Sequence, residues 1–444
     1  MKKVCILFVF CLLWFFSSGQ GTAYIKKTDA KATPKMIRHW KDCFIPGLHA
    51  AYFTDVSGGK GYIGVTNVYG IFNFVQIHDN CIVRDMAILE DTAYFCGETL
   101  TGKALLGWVD LTGYLYSTSL NIDTATFLLI TPSMHSIDNI EAYYDHLGRT
   151  CVVGYVKSPV GHIGFEYILP GGVPSVTCGV LPYTPCDLTL TENFVVFAGT
   201  TGSGCHIVIH PFKKATTFTT PYVPYYSYAV CSATETEPYG DRMRVTDIGN
   251  DQVALLNYRE GVGVYYMMLR KFNVTHAFYT YNLPMLTACQ TTFNYSVTSN
   301  DVFDFLYDAN KSVFLVLQNY EVTPSDYHDV VTKINFINGI PSTVQSDYLA
   351  IPDQPMQSMS LSDSSMYVVY GYNSPGHDQV FWKDKNLAPV LVPCLNSDVL
   401  PMNDFPIVSN LRHDCHYGTP LIPGSPYSTS SLIGVNKTIL LSCH

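Results

Sequence analysis

An all-β fold is predicted, on three observations. Short runs alternate apolar with polar residues, they are rich in β-branched and aromatic side chains, and Asp, Asn or Gly punctuates them. The same shape returns at 85–97, 139–154, 187–199, 245–258, 302–317 and 357–371. Each copy holds an alternating run, a polar turn and a dense apolar run such as Phe194–Phe197. The turn residues Asp91, Asp145, Asn193, Asp251, Asp308 and Asp363 are spaced 54, 48, 58, 57 and 55 residues apart.

Asp and Asn favour such turns because their side chains bond the local backbone, so each copy reads as an antiparallel hairpin. One further strand follows each hairpin, at 104–111, 162–169, 206–212, 264–272, 330–337 and 379–382. A four-stranded unit repeated about every 50 residues is the pattern of a β-propeller, whose sheets pack radially. Six units run from about 82 to 393. Upstream, Ala50–Phe53, Tyr62–Val65 and Ile71–Val75 read as three strands without an evident inner one. Downstream, Ser431–Val435 and Thr438–Leu441 are spare strand material. A ring closes when the two chain ends share a blade, so seven blades are expected, with six as the alternative. The expected domain runs over 43–444.

Of the 444 residues, 47% are hydrophobic and 14% charged, which excludes a mainly disordered chain. The net charge of -10 argues against binding a nucleic-acid phosphate backbone. Residues 1–21 form an export signal: Met1-Lys2-Lys3, an uncharged run from Val4 to Phe16, then small residues suited to cleavage after Gly19 or Gly21. That run is too short to span a bilayer comfortably, and Phe8-Val9-Phe10 before Cys11 does not fit a lipid anchor. No later stretch is long and apolar enough to span. Twelve cysteines remain after the signal (Cys43, Cys81, Cys96, Cys151, Cys178, Cys186, Cys205, Cys231, Cys289, Cys394, Cys415 and Cys443), and an even number in an exported chain predicts several disulfides. Connectivity stays open, and the alternative for any one is a buried thiol.

The N-terminal signal, the Cys43–Gly47 and Ala51–Asp55 segments, and repeats such as Arg84–Ile88 and Ala93–Gly97 carry a resemblance. Over nearly the whole mature chain the sequence resembles a family of secreted β-propeller proteins from Bacteroides-like gut bacteria. That resemblance implies fold and compartment and brings no catalytic residues with it.

Few motifs carry chemistry. Gly59-Lys60-Gly61-Tyr62-Ile63-Gly64 matches GxGxxG, but the dinucleotide reading needs a following helix, and Tyr62–Thr66 reads as a strand. His206 and His210 on a strand would stand about 13 Å apart, too far to share one ion. His413-Asp414-Cys415-His416 reads as a surface loop or a disulfide segment, so no metal and no cofactor are expected. The turn acids read as structural. No GxSxG, HExxH or EF-hand signature is present. Tyr222, Tyr225, Tyr226 and Tyr228 form an aromatic cluster that either packs between blades or presents rings to a ligand. Residues 22–42 carry a net charge of +4 and read as a solvated basic leader, with docking on an acidic surface of the same chain as the alternative.

Counting six residues back from each turn reaches the head of each inner strand: Asp85, Asn139, Asp187, Val245, Val302 and Gln357. With Arg84, Asp138, Arg244 and Asp301 one position earlier, these would line one mouth with groups suited to hydroxyl-rich or mixed-charge ligands. The candidate ligand-binding set is therefore Arg84, Asp85, Asp138, Asn139, Asp187, Arg244, Asp301 and Gln357, against the alternative that these groups bond neighbouring blades. The expected function is that of an exported, monomeric, non-catalytic binding protein for a glycan or an envelope or host protein. A carbohydrate-active hydrolase or lyase on the same scaffold is the alternative.

Overall fold

The computed structural model describes the strands named below, together with residues 40, 90–91, 100–103, 111–112, 145, 147–149, 183, 191–194, 230, 250–251, 274–275, 309 and 312. β1 (Ala23–Lys26) comes first. The first unit is β2 (Ala32–His39), β3 (His49–Asp55), β4 (Lys60–Thr66) and the leading half of β5 (Phe72–Leu89). The trailing half of β5 opens the second unit, followed by β6 (Thr92–Thr99), β7 (Ala104–Asp110) and β8 (Asn121–Leu128). The third holds β9 (Ser136–Tyr144), β10 (Thr150–Ser158), β11 (Gly161–Leu169) and β12 (Val176–Val180). The fourth holds β13 (Thr184–Leu190), β14 (Val195–Thr201), β15 (Gly204–His210) and β16 (Pro224–Ala229). The fifth holds β17 (Met243–Gly249), β18 (Gln252–Gly261), β19 (Val264–Asn273) and β20 (Met285–Phe293). The sixth holds β21 (Asn300–Asp308), β22 (Val313–Thr323), β23 (Asp326–Ile337) and β24 (Ile340–Leu349). The seventh holds β25 (Ser358–Leu361), β26 (Met366–Asn373) and β27 (His377–Asp384).

Every unit is an antiparallel meander, as the hairpin pattern predicts. β1 pairs along β27 as the fourth strand of the seventh unit, with Tyr24 opposite Gln379. The segment expected as a solvated leader is therefore corrected. It supplies β1 and also β2, the inner strand that the first unit appeared to lack. The remaining chain adds short outer strands to these sheets: β28 (Leu395–Leu400) on β24, β29 (Asn403–Asp404) on β20 and β30 (His413–Tyr417) on β16. β31 (Ile422–Pro423) and β32 (Ser428–Ser431) pair with β8, β33 (Ile433–Lys437) with β5, and β34 (Ile439–Leu441) with β1. Residues 413–416, read as a loop, are thus a strand. β4 is a strand where a dinucleotide site would need a helix. Among the described residues helical backbone is limited to 111–112 and 274–275, and no helix is long and apolar enough to cross a membrane. The signal segment lies outside the described residues.

The dense apolar runs follow from sheet stacking. In the third unit Val152 faces the second unit while Val153 faces the fourth. In the fourth, Val195 faces the third unit and Val196 the fifth. A second strand buried on both faces cannot alternate, so it is apolar throughout. Inner strands instead carry a bulge near their start, at Arg84, Asp138, Cys186 and Phe303. Gly97 and Gly199 lie opposite two of these bulges. A Cβ would stand 1.8 Å from the Ile82 carbonyl oxygen at Gly97, and 2.5 Å from that of Thr184 at Gly199.

The disulfide expectation is corrected at Cys96 and Cys151. Both are buried thiols in the sheets, with Cys96 Sγ donating to the Ile137 carbonyl at 3.4 Å. Each fills an inward position as a small apolar group, and burial pushes both thiols up, away from the reactive thiolate. Cys81 and Cys186 also stand as thiols, and the other eight lie outside the described side chains.

Gly97→Ala and Gly199→Ala are each expected to lower stability by about 1–3 kcal/mol, because backbone must move to admit the methyl group. Denaturant melts check this; an unchanged midpoint would contradict the bulge geometry.

Candidate functional site

A bulge breaks the ladder locally and leaves the next amide needing an acceptor. In three units an aspartate just past the bulge provides it. Asp85 Oδ1 accepts the N–H of Met86 at 2.8 Å, and its Oδ2 accepts that of Ile140, on the next inner strand, at 2.8 Å. Asp187 Oδ2 accepts the Val245 N–H at 2.8 Å. Asp304 Oδ1 accepts the Phe305 N–H and its Oδ2 the Met359 N–H, both at 3.0 Å. Equivalent positions in successive units are thus Asp85, Asn139, Asp187, Arg244, Asp304 and Ser358. Asn139 Nδ2 donates to Asp187 Oδ1 at 3.3 Å, which links the third unit to the fourth.

Arg38 of β2 joins this row. Its guanidinium lies 3.5 Å from Asp85 Oδ1 and 3.7 Å from Asp304 Oδ2, and donates to Ser358 Oγ at 3.3 Å. Burial works against the charge, but Asp304, Asp85, Glu141 and Asp187 outweigh it and raise the Arg38 pKa. Burial acts oppositely on the acids. It raises Asp85 to about 7 despite Arg38 and two backbone donors, and Asp187 to about 6 despite Arg244.

The accessible part of the row lies between the second and third units. Arg84, 42% exposed, is held by Glu98 Oε1 at 2.6 Å and Asp138 Oδ1 at 3.3 Å. Ser136 Oγ donates to Asp138 at 2.8 Å. His162 stands edge-on to Tyr155 on the neighbouring strand, and burial lowers its pKa against the pull of Asp138. The exposed loop 99–103 lies at the same end of these strands.

Of the candidate residues, the structure brings Arg84, Asp85, Asp138, Asn139, Asp187 and Arg244 to the heads of neighbouring inner strands. Asp85, only 1% exposed, is corrected from ligand-facing to buried in inter-unit bonds. Asp301 lies on β21 opposite Asn319, three residues before the equivalent position. Gln357 lies outside the described residues. Arg38, Asp304 and Ser358 were missed; the alternative reading of the basic segment, docking on acids of its own chain, held the only signal for Arg38. Among the aromatic candidates Tyr228 is fully buried against the fifth unit, which fits the alternative of packing between blades and not that of a presented ring. Tyr225 and Tyr226 lie opposite His416 and Cys415 on β30. Tyr222 is outside the described residues.

The turn acids do structural work at the opposite ends of the strands. Trp40 Nε1 donates to Asp91 at 2.9 Å, and Asp251 accepts from Thr191, Asn193 and Thr275. Asp363 lies outside the described residues. Among the described residues no group of three His, Cys, Asp or Glu is placed to hold a metal ion.

No protein-family model and no curated protein matches the chain. Solved propellers do. The WD40 domain of Toxoplasma gondii coronin is 9% identical with a TM-score of 0.47, over 82% of this chain and 86% of that one. Chaetomium thermophilum Sqt1 is 10% identical with a TM-score of 0.44, over 83% and 98%. The β-propeller domain of the Trilobed protease from Pyrococcus furiosus is 10% identical with a TM-score of 0.37, over 80% and 96%. At such identities a likeness concerns fold, and no activity carries over.

The raised acids set a pH dependence. Asp85 and Asp187 hold protons in the folded chain above the ordinary aspartate value of about 3.9. Between that value and their folded values the folded state binds more protons than the unfolded one. Their contribution is therefore fully present below about 4 and is lost as pH rises through about 6 and 7. The melting temperature is expected to fall from pH 5 to pH 8, and Asp85→Asn to flatten that slope. Thermal scans across this range check it; an equal slope in both proteins would contradict the assignment.

Proposed function

We propose that the chain is an exported, non-catalytic binding module, built as a seven-bladed propeller closed by its two ends, and akin to secreted propeller proteins of Bacteroides-like gut bacteria. Pairing of β1 between β27 and β34 supports closure. The ligand is a glycan or an exposed segment of an envelope or host protein, met at the end where the inner strands begin.

One observation carries this reading. The polar groups at the strand heads divide into a row around Asp85 held by backbone amides and Arg38, and a cluster in which exposed Arg84 is paired with half-buried Glu98 and Asp138, the latter held by buried Ser136. Asp85, pushed up to about 7, has a pKa that would suit proton transfer, yet it is 1% exposed and both its oxygens accept backbone N–H groups. A general acid must reach its substrate. Arg84, exposed and fixed by its two carboxylate partners, instead offers held donors beside half-buried acceptors, which suit hydroxyl groups or mixed charge.

Screening the purified protein against polysaccharides, for binding and for reducing-end release, tests the reading. Binding without release is expected, and Arg84→Ala should weaken it about tenfold, the loss of one or two charge-assisted bonds. Release at ordinary turnover would replace the reading with a hydrolase or lyase. Unchanged affinity in the folded variant would move the site elsewhere.

A further inference from the structure

The row of inner strands has one junction unlike the rest. Successive units are neighbours in sequence, whereas β2 and β25 lie side by side with Arg38 and Ser358 320 positions apart. Bringing such distant segments together carries a larger loop-closure cost than joining consecutive units. At this junction the bridging group is a guanidinium. Arg38 reaches Ser358 of the seventh unit, Asp304 of the sixth and Asp85 of the second. Ser358 Oγ in turn donates to Asp304 Oδ2 at 3.2 Å, beside the Met359 N–H bonded to the same oxygen. Arg38 retains 28% side-chain exposure, so it is partly solvated where Asp85, at 2%, is dry.

We propose that the protein opens and closes at the β2–β25 junction and that Arg38 is the clasp that holds it shut. The inference rests on the closed-ring reading. A planar guanidinium with five donors suits the task because one side chain can face two carboxylates and a hydroxyl at once, which a lysine ammonium does less well. Asp85 and Asp304 also fix the amides of the following units, so the clasp grips groups already anchored on both sides. Opening would release β2, and with it β1, from β25–β27. The junction is therefore the place where this fold is expected to breathe while the stacked third, fourth and fifth units stay closed.

The test is hydrogen exchange read by mass spectrometry on the full chain, comparing the parent with Arg38→Met, Arg38→Lys, Ser358→Ala and, as a control, Arg84→Met. Arg38→Met should raise exchange about tenfold in residues 32–39 and 358–384, the scale of one lost charge-assisted bond, while residues 184–273 stay unchanged. Arg38→Lys should recover part of the protection, Ser358→Ala should show a smaller rise in the same peptides, and Arg84→Met should show none there. A rise of equal size in every sheet, or none in the junction peptides, would overturn the clasp. If Arg38→Met does not fold, the Ser358→Ala pattern decides by the same criterion. A photo-reactive benzoylphenylalanine in place of Tyr24 separates the two readings. Crosslinks to β27 or β34 with unchanged junction exchange would remove the clasp and leave closure standing. Crosslinks elsewhere would remove closure, and the clasp with it.

Discussion

The arrangement depends on one repeated bond, from an aspartate just past an inner-strand bulge to the corresponding backbone amide of the next unit. Asp85 reaches Ile140, Asp187 reaches Val245 and Asp304 reaches Met359. Each bond gives a partner to an amide near the head of the next unit's inner strand. A hydrogen bond to a charged group contributes about 1.5–3 kcal/mol, and an orphaned buried donor costs about 1–3 kcal/mol. The apolar contacts between sheets are larger in sum but are tolerant of small slips. The carboxylate bonds are directional, so they set the register between one unit and the next.

That role has an electrostatic consequence. Gathering aspartates at neighbouring strand heads, in a dry setting, favours their protonated forms, as the raised values of Asp85 and Asp187 record. Arg38 offsets part of that burden for Asp85, and Arg244 does so for Asp187. The buried row is in this sense a scaffold. It leaves Arg84 exposed, with its geometry fixed by half-buried Glu98 and Asp138.

Much of this was legible in the sequence. Dense runs such as Phe194–Phe197 are apolar on both faces because both are buried, and the hairpin turns fall where Asp, Asn and Gly mark them. Residues 32–39 were not legible as an inner strand. Their lysine, arginine and proline suggest a solvated segment, and only acids 47 or more positions away give Arg38 a reason to be buried. Counting back from the turns found Asp85, Asn139 and Asp187, because in those three units the head stands six positions before the turn. It failed in the fifth, where a bulge between Asp247 and Gly249 adds a residue. It failed again in the sixth, where Asp304 stands four residues before Asp308. Cys96 and Cys151 were misjudged, and the two readings of Tyr228 were left open, for a common reason. Composition cannot distinguish a side chain that packs between sheets from one that bonds or binds.

The central claim is that carboxylate bonds between units hold their register. Chemical denaturation of Asp187→Ala against the parent tests it most directly. The account predicts a loss of about 2–4 kcal/mol, since the variant orphans the Val245 amide and removes the acceptor of Asn139. A loss below about 0.5 kcal/mol, the size of an ordinary surface change, would contradict it.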